Sequence, residues 1–418
     1  MCKKITFVLL LRRVNAEYVC ALLIPFNSNL HSFLSRAGIG LQDTFMRHLL
    51  RLLYLLLFVF TGLIAAAQYY PCDKDAGTET VRLYNNLRKI TDRGFMFGHQ
   101  DDLAYGVHWK YVTGNSDIRE VTGDYPAVYG WELGHLELDS LVNLDAVPFA
   151  AMKSFIREGY ARGGVITISW HFTNALTGKS AWDAVPGTVA AMLPGGAKHA
   201  LYKGWLDKLA AFMHDLKGKN GEAIPVIFRP FHELNGSWFW WGKNLCTPEE
   251  LKSLYRFTAG YLRGDRQVHN LLYAYNTDRF STEEEYLERY PGDEWVDIIG
   301  FDIYQRNKDN AQFIRDADKS LTILDKLAAE RNKVAALTEF GYATLPDSSW
   351  WTKVLLPAIG SHKIAYALAW RNAGQSTPGR YEYYVPFEGE ASAKDFKLFY
   401  RNRRTLFQKD VTKEKMYR

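Results

Sequence analysis

Short apolar runs recur along residues 70–418, each followed by a longer segment in which apolar residues return every three or four positions. The first kind reads as buried strand and the second as amphipathic helix. Strands are predicted over Phe95–His99, Val128–Leu133, Gly164–Trp170, Ile224–Phe231, Asn270–Asn276, Val296–Tyr304, Val334–Phe340 and Ile364–Trp370. Helices are predicted over Val81–Thr91, Pro148–Arg162, Lys198–Leu216, Pro248–Arg263, Ala311–Arg331 and Trp350–Ile359. Thr247 is a good N-cap for the helix that Pro248 opens, and Gly163-Gly164 stops a helix just ahead of the third strand. Strand and helix in this alternation imply parallel strands. Eight such units in about 350 residues fit an α/β fold of the (β/α)8 TIM-barrel type, in one domain. Three segments, Gly114–Tyr125, Thr173–Pro194 and Gln375–Ala393, are long enough to shape the barrel mouth.

Read to their C-terminal ends, the strands finish on His99-Gln100, His135, Trp170-His171, His232-Glu233, Asn276, Tyr304, Glu339 and Trp370-Arg371. Polar and aromatic residues collecting at that end of nearly every strand is what a barrel active-site face requires. A doubly wound open sheet is the structural alternative, and it does not naturally draw functional residues from all eight ends.

The densest chemistry lies in Ile224–Gly242, IPVIFRPFHELNGSWFWWG. An apolar strand opens there onto Arg229, His232, Glu233 and Asn235, then at once onto Trp238, Trp240 and Trp241. A carboxyl beside a bank of indoles suits a sugar: the acid moves a proton and flat aromatic faces take the apolar faces of pyranose rings. Val334–Gly341 supplies a second apolar strand tipped by a carboxylate, Glu339. Retaining glycoside cleavage needs one such group to protonate the leaving oxygen and one to attack the anomeric carbon. Glu233 is expected as acid/base, because His232 and the indole wall favour its protonated form by desolvation, and Glu339 as nucleophile. Tyr304, ending the neighbouring strand, is expected to hold Glu339 in place. His232 is expected to orient the acid or meet sugar hydroxyls, against the alternative of a satisfied core histidine. One or two of Trp238, Trp240 and Trp241 are expected to form a platform and the rest to be core. Trp370 would floor the cleft, and Arg371 would bind hydroxyls or brace a carboxylate. His99, His135 and His171 are suggestive only as a group. Asp101 and Asp102 are read as caps of the first loop, and Glu283-Glu284-Glu285 as a solvated helix start.

Composition changes this picture in three places. Aromatic content is 15%, with 12 Trp and 25 Tyr, which suits a carbohydrate cleft as well as a core. The formal charge of +5 resides wholly in residues 1–67, which carry seven Lys/Arg against two Asp/Glu, so residues 68–418 are neutral and make no electrostatic case for nucleic acid. Those first residues read as a targeting region. Arg47, His48 and Arg51 precede the apolar Leu52–Ile64 and then Ala65-Ala66-Ala67, a secretory signal over residues 46–67 with cleavage near Ala67 and Gln68 as the new N-terminus. The run is short of the ~20 apolar residues of a transmembrane helix. Of four cysteines only Cys72 and Cys246 lie beyond that region, without metal spacing, and whether they pair is open.

A metal-dependent hydrolase on the same barrel is the main rival, since several histidines share a face. No His-x-His closes the first strand and no Asp closes the eighth, so a tight ligand cluster is not apparent. A non-catalytic glycan-binding barrel is a second rival, which the two glutamates argue against.

Placed in order, FGHQ, RPFHELNGSWFWWG, the GFDIY ending of strand six, TEFG and AWRN make the chain resemble glycoside hydrolase family 26 from about Thr78 to the C-terminus. The resemblance implies a retaining (β/α)8 enzyme with acid/base on strand four, here Glu233, and nucleophile on strand seven, here Glu339. It also implies that His232 and Tyr304 surround the cleaved sugar, that Trp238 stands on the leaving-group side, and that Trp370 and Arg371 bind sugar. His171, and with it Trp182, match more distal sugar contacts. Most of the family resembles β-1,4-mannanases acting on mannan, glucomannan or galactomannan, and other members resemble β-1,3-xylanases or mixed-linkage β-glucanases. No metal or organic cofactor is implied. The expected partner is a β-mannan-type polysaccharide or oligosaccharide, with no nucleic acid and no membrane span after leader removal. The chain is expected as a monomer in a secreted or periplasmic location.

Overall fold

Val128, Val165, Ile227, Leu272, Ile298, Val334 and Leu368 each stand next in sequence to another apolar residue, namely Tyr129, Ile166, Phe228, Tyr273, Ile299, Ala335 and Ala367. Successive strand residues face opposite ways, so this double apolar character demands burial on both faces of a sheet. The computed structural model, which describes residues 69–377 and 379–418, shows how it is met. Eight strands, β1 (Phe95–Gln100), β2 (Val128–Glu132), β3 (Val165–Ser169), β4 (Val226–Arg229), β5 (Leu271–Thr277), β6 (Ile298–Gln305), β7 (Val334–Tyr342) and β8 (Tyr366–Ala369), pair in parallel in chain order. β8 pairs back onto β1, with Met96 opposite Tyr366 and His99 opposite Ala369, so the sheet closes and leaves no edge among the eight. The first set of residues fills the lumen as one cluster, and the second packs outward in another.

A helix follows each strand: Asp117–Thr122, Phe149–Ala161, His199–Asp215, Pro248–Gly260, Glu283–Leu287, Asn310–Arg331, Leu356–Ile359 and Ala393–Tyr400. The helix Thr78–Ile90 precedes the barrel. Thr247 caps its helix through a reciprocal bond pair with Glu250, and Gly163 takes the left-handed conformation (φ 89°) that ends the helix before β3. Glu283-Glu284-Glu285 is the first turn of a short helix capped by Thr282.

Two strands are shorter than their apolar runs. β4 stops at Arg229 because Pro230 has no N–H to donate and Phe231 turns left-handed at φ 52°. β8 begins only at Tyr366. The helices Pro248–Gly260 and Leu356–Ile359 each adjoin a widened turn, Tyr261–Asp265 and Trp351–Leu355, that periodicity does not reveal. Thr405–Leu406, too short to read from sequence, adds a parallel pairing alongside β1. Cys72 and Cys246 are both free thiols: Cys72 donates to Asp297 and Cys246 lies against Arg289. The leader expected over residues 46–67 lies outside the described residues. Among the described residues no helix is long and apolar enough to cross a membrane.

The rim of the barrel mouth is tied by buried polar groups. Asp117 accepts from the Val107 N–H at 3.0 Å, Trp109 Nε1 at 2.7 Å and Asn372 Nδ2 at 2.7 Å, joining the loops after β1 and β8. Asn372 in turn accepts from the Tyr384 and Val385 N–H groups. Asp117→Ala would leave three donors without their acceptor, at a cost of about 3 kcal/mol or more. Denaturant unfolding should show that loss, with Asp117→Asn losing less because its amide oxygen still accepts. An unchanged midpoint for Asp117→Ala would mean that this knot does not hold the rim.

Candidate active site

Directly above the apolar lumen the inward positions turn polar: Gln100, Glu132, Ser169, Arg229, Asn276, Asp302 and Thr338 are all buried. Arg229, the last residue of β4, is the centre of this layer. Its Nη1 donates to Asn276 Oδ1 at 2.8 Å and Asp302 Oδ2 at 2.9 Å, and its Nη2 donates to Glu339 Oε2 at 2.8 Å. Asp302 also accepts from Thr338 Oγ1 at 2.9 Å. Burial pushes the Asp302 carboxyl well above the usual range even against the pull of Arg229.

Glu339 reaches this layer by a local irregularity. The registers of β7 with both β6 and β8 shift across Leu337–Phe340, the mark of an extra residue. Consecutive strand residues ordinarily face opposite ways, yet here Thr338 bonds Asp302 and Glu339 bonds Arg229. The second oxygen of Glu339 accepts from the Tyr304 hydroxyl. With donors on both oxygens the carboxylate is held in one orientation. Gly341 leaves the room this needs, since a Cβ there would lie 2.3 Å from Tyr384 and 2.8 Å from Tyr304.

Glu233 is presented differently, from an irregular turn after β4 in which its own backbone is left-handed (φ 53°). A non-glycine residue held so carries strain that its surroundings must maintain. Trp241 Nε1 donates to the His232 carbonyl at 2.8 Å, Trp240 Nε1 to the Phe172 carbonyl at 3.0 Å, and the Gly236 N–H to the Glu233 carbonyl at 2.9 Å. Trp240 and Trp241 are thus fully buried struts, while Trp238, 37% exposed, folds back and donates its Nε1 to Glu233 Oε2 at 2.6 Å. Only glycine fits at 236, where a Cβ would meet the Trp238 ring at 2.3 Å. Burial, the charge of Glu339 and that of Asp278 together push the Glu233 carboxyl up to about 8, with the indole bond opposing. One carboxylate oxygen from each of Glu233, Asp302 and Glu339 lies within 4.8 Å of the others. That spacing suits direct attack across the bond, where the wider ~6.5–9.5 Å gap of inverting enzymes would seat a water. Both oxygens of Asp302 and both of Glu339 already accept from Arg229, Thr338 or Tyr304, so a metal ion there would compete with these donors.

A second buried chain runs from β2. Glu132 Oε2 pairs with His171 Nδ1 at 2.8 Å, and His171 Nε2 lies 2.9 Å from His232 Nε2. Burial opposes ionisation of Glu132, yet His171 carries its carboxyl down to about 2; burial likewise opposes charge on His171, yet Glu132 raises its pKa. Burial, His171 and Arg229 hold His232 well below the ordinary histidine range. Of the two imidazoles, His171 with its carboxylate partner is therefore the one that takes up a proton more readily.

These groups open onto a cleft of about 1000 Å³ lined by His171, Trp182, His232, Glu233, Trp238, Tyr304, Glu339, Trp370 and Tyr384, among others. Trp182, 48% exposed, stacks on His171 with ring centroids 5.0 Å apart. Of the residues predicted from sequence, Arg371 stands outside this lining, its Nε 3.1 Å from Asp145 Oδ1 as an ion pair bent too far for a hydrogen bond, so it braces a carboxylate. His99 does not line the cleft: it is buried against Asp102 at 2.8 Å, and Asp102 also accepts from Ser116. His135, in a left-handed turn after β2, is not in the lining either. Sequence reasoning passed over Glu132, Asp302 and the pivotal role of Arg229. The rule that found Glu339, a carboxylate at the end of an apolar strand, also fits Glu132 and Asp302.

The family model for glycosyl hydrolase family 26 matches residues 72–373. A mannan endo-1,4-beta-mannosidase from Bifidobacterium adolescentis is 33% identical over 351 residues, which is 78% of this chain and 34% of that protein, so the chain spans about a third of that relative's length. Another of the same name from Bacillus subtilis is 27% identical, over 78% of this chain and 96% of that protein. The solved structure of a GH26 beta-mannanase from Bacteroides ovatus is 44% identical with a TM-score of 0.79, covering 82% of this chain and 98% of that one.

The environment of Glu233 is open to direct titration. Infrared difference spectra of the native protein against Glu233→Gln should show one carboxyl ionising near pH 8. Trp238→Phe removes the donor that favours the carboxylate, so the midpoint should then move upward. A midpoint near the ordinary glutamate value of ~4.3 would contradict the described burial.

Proposed function

This chain belongs to glycosyl hydrolase family 26, and from that premise we propose that it is a retaining β-1,4-mannanase of the mannan endo-1,4-β-mannosidase type, acting on β-mannan, glucomannan or galactomannan. The observation that carries the reading is the facing pair Glu233 and Glu339, with oxygens within 4.8 Å and opposite surroundings. Glu233, protonated up to about pH 8, is the acid that delivers its proton to the glycosidic oxygen as the bond breaks. Glu339, aimed by Arg229 and Tyr304, attacks the anomeric carbon from the opposite side and forms the glycosyl-enzyme. Glu233, now ionised, takes a proton from water, which displaces Glu339 with the β configuration restored. Trp238 holds the acid and offers its face to the leaving sugar. Trp370, Trp182 and the His171–His232 pair receive the sugar on the other side of the cleaved bond. The chain's similarity to mannan endo-1,4-beta-mannosidases and a beta-mannanase favours mannan over other β-glycans.

We further propose export through the leader at residues 46–67 and action outside the cytoplasm as a monomer. The basic–apolar–Ala-Ala-Ala order at Arg47–Ala67 supports the first part. N-terminal sequencing of exported protein should begin at Gln68 or within a residue or two, and recovery of the intact chain in the cytosol would refute it.

The roles of the two glutamates separate on replacement. Glu339→Ala should be nearly inactive on every substrate, since no glycosyl-enzyme can form. Glu233→Ala should lose roughly 10²–10⁴-fold on mannan while still forming the intermediate from an activated aryl mannoside, then stall. Azide needs no general base and should restart it, giving a β-azide. An α-azide from Glu339→Ala, with Glu233→Ala unresponsive, would reverse the assignment. NMR of the first product formed by the native protein should show the β anomer, and an α anomer would sink the retaining mechanism.

A further inference from the structure

We propose that the leaving-group arm of the cleft is built to receive a carboxylate, that of a uronic acid carried on the sugars beyond the cleaved bond. This specificity rests on the mannanase reading above and deepens it. The arm is located by Asn235, two residues past Glu233: its Oδ1 accepts from the Asp278 N–H at 2.7 Å and its Nδ2 donates to the Arg279 carbonyl at 3.0 Å. The end of β5 is thus tied to the acid turn, and the cleft wall runs on from there through the loop after β6.

That loop, residues 306–309, places Arg306 and Lys308 exposed on the cleft wall between buried or bonded anchors. Gln305 donates to the Asn307 carbonyl at 3.0 Å and to Asn310 Oδ1 at 2.8 Å, and accepts from the buried Trp350 Nε1 at 2.5 Å. Asn307 Oδ1 takes the Asp309 N–H at 3.0 Å. The two cations therefore project from a bonded frame, so binding an anion there does not also have to order the loop.

Their charge is available. Among the described residues no carboxylate oxygen lies within 4.0 Å of Arg306 or Lys308, whereas the third cation of the arm, Arg279, meets Asp316 at 3.7 Å. The acid in the same wall, Asp278, is partly buried; burial raises its pKa while the charges of Arg279 and Arg306 oppose the rise, and it forms no ion pair with Arg306 or Lys308 within 4.0 Å. Uncharged donors and acceptors serve neutral hydroxyls as well as cations do, whereas a carboxylate draws a cation specifically, and on this arm three cations, Arg279, Arg306 and Lys308, stand against one acid, Asp278. Carbohydrate recognition elsewhere in the cleft rests on indoles, imidazoles and the paired carboxylates. Cations converging on one arm of a cleft concentrate an oppositely charged substrate and fix its register.

The test compares three manno-oligosaccharides with the purified chain: unsubstituted, bearing a uronic acid on the reducing-end side of the scissile bond, and the same branch after carboxyl reduction to the neutral hexose. The carboxylate form should exceed its reduced twin in kcat/KM by roughly five- to tenfold at low salt, the yield of two partly exposed ion pairs. Raising salt from about 0.01 to about 0.15 M shortens the screening length from ~30 to ~8 Å and should shrink that ratio. In Arg306→Gln/Lys308→Gln the ratio should fall to about one. Equal rates on the two branched substrates, or a preference that survives the double substitution, would overturn the proposal while leaving the mannanase reading intact, because the unsubstituted oligosaccharide is still cut. Failure to cut any of the three would remove both.

Discussion

The guanidinium of Arg229 sits where the apolar lumen of the barrel ends and its chemistry begins. A charge taken wholly out of water survives only if paired and hydrogen-bonded. Arg229 meets that demand through Asn276, Asp302 and Glu339, one partner from each of the next three strands, β5, β6 and β7. The benefit is mutual. Three carboxyl groups with oxygens within 4.8 Å repel one another, and the cation among them allows such a cluster to exist above a hydrophobic floor. Removing one side of a buried pair of this kind ordinarily costs about 3–5 kcal/mol, so the functional carboxylate and the fold share one support.

Two glutamates with the same side chain acquire different characters from what surrounds them. Glu339 is flanked by donors on both oxygens and belongs to a strand. Glu233 stands on a strained turn, has one neutral indole as donor, and faces other carboxyls across a partly dry cleft. Burial and like charge raise the proton affinity of the second group without any change in its chemistry. The Glu132–His171–His232 chain adds a third setting, in which a deeply buried carboxylate raises the proton affinity of one imidazole while burial, with that neighbour and Arg229, lowers that of the next.

Most of the aromatic content supports this arrangement from behind. Trp131, Trp170, Trp240, Trp241, Trp350 and Trp351 are fully buried, and several spend their one N–H on holding the turns that carry function: Trp241 on the acid turn, Trp240 on Phe172 just after β3, Trp170 on Glu137 beneath the loop after β3, Trp350 on Gln305. Trp182 and Trp238 are the exposed indoles that the cleft presents to a ligand. An abundance of tryptophan thus reflects rigid support for irregular loops as much as a surface for sugar.

The amino-acid sequence by itself determined the eight strands, their order and the face on which function gathers, because double-sided burial and strand-end polarity are written in local patterns. It also pointed to the facing glutamates, each following an apolar run closely, and to the neighbours His232, Tyr304, Trp238 and Trp370. Only the tertiary structure decided what those patterns cannot encode. The extra residue in β7 that lets Thr338 and Glu339 both serve the polar layer is a matter of register between strands. The division of Trp238 from Trp240 and Trp241, and of His171 from His99, depends on which way each side chain leaves its backbone after a left-handed turn or a strand end. The pairing of Arg371 with Asp145 and of Glu132 with His171 joins residues far apart in the chain. Local periodicity reports which face a residue occupies, while partnership across the barrel is set only when the sheet closes.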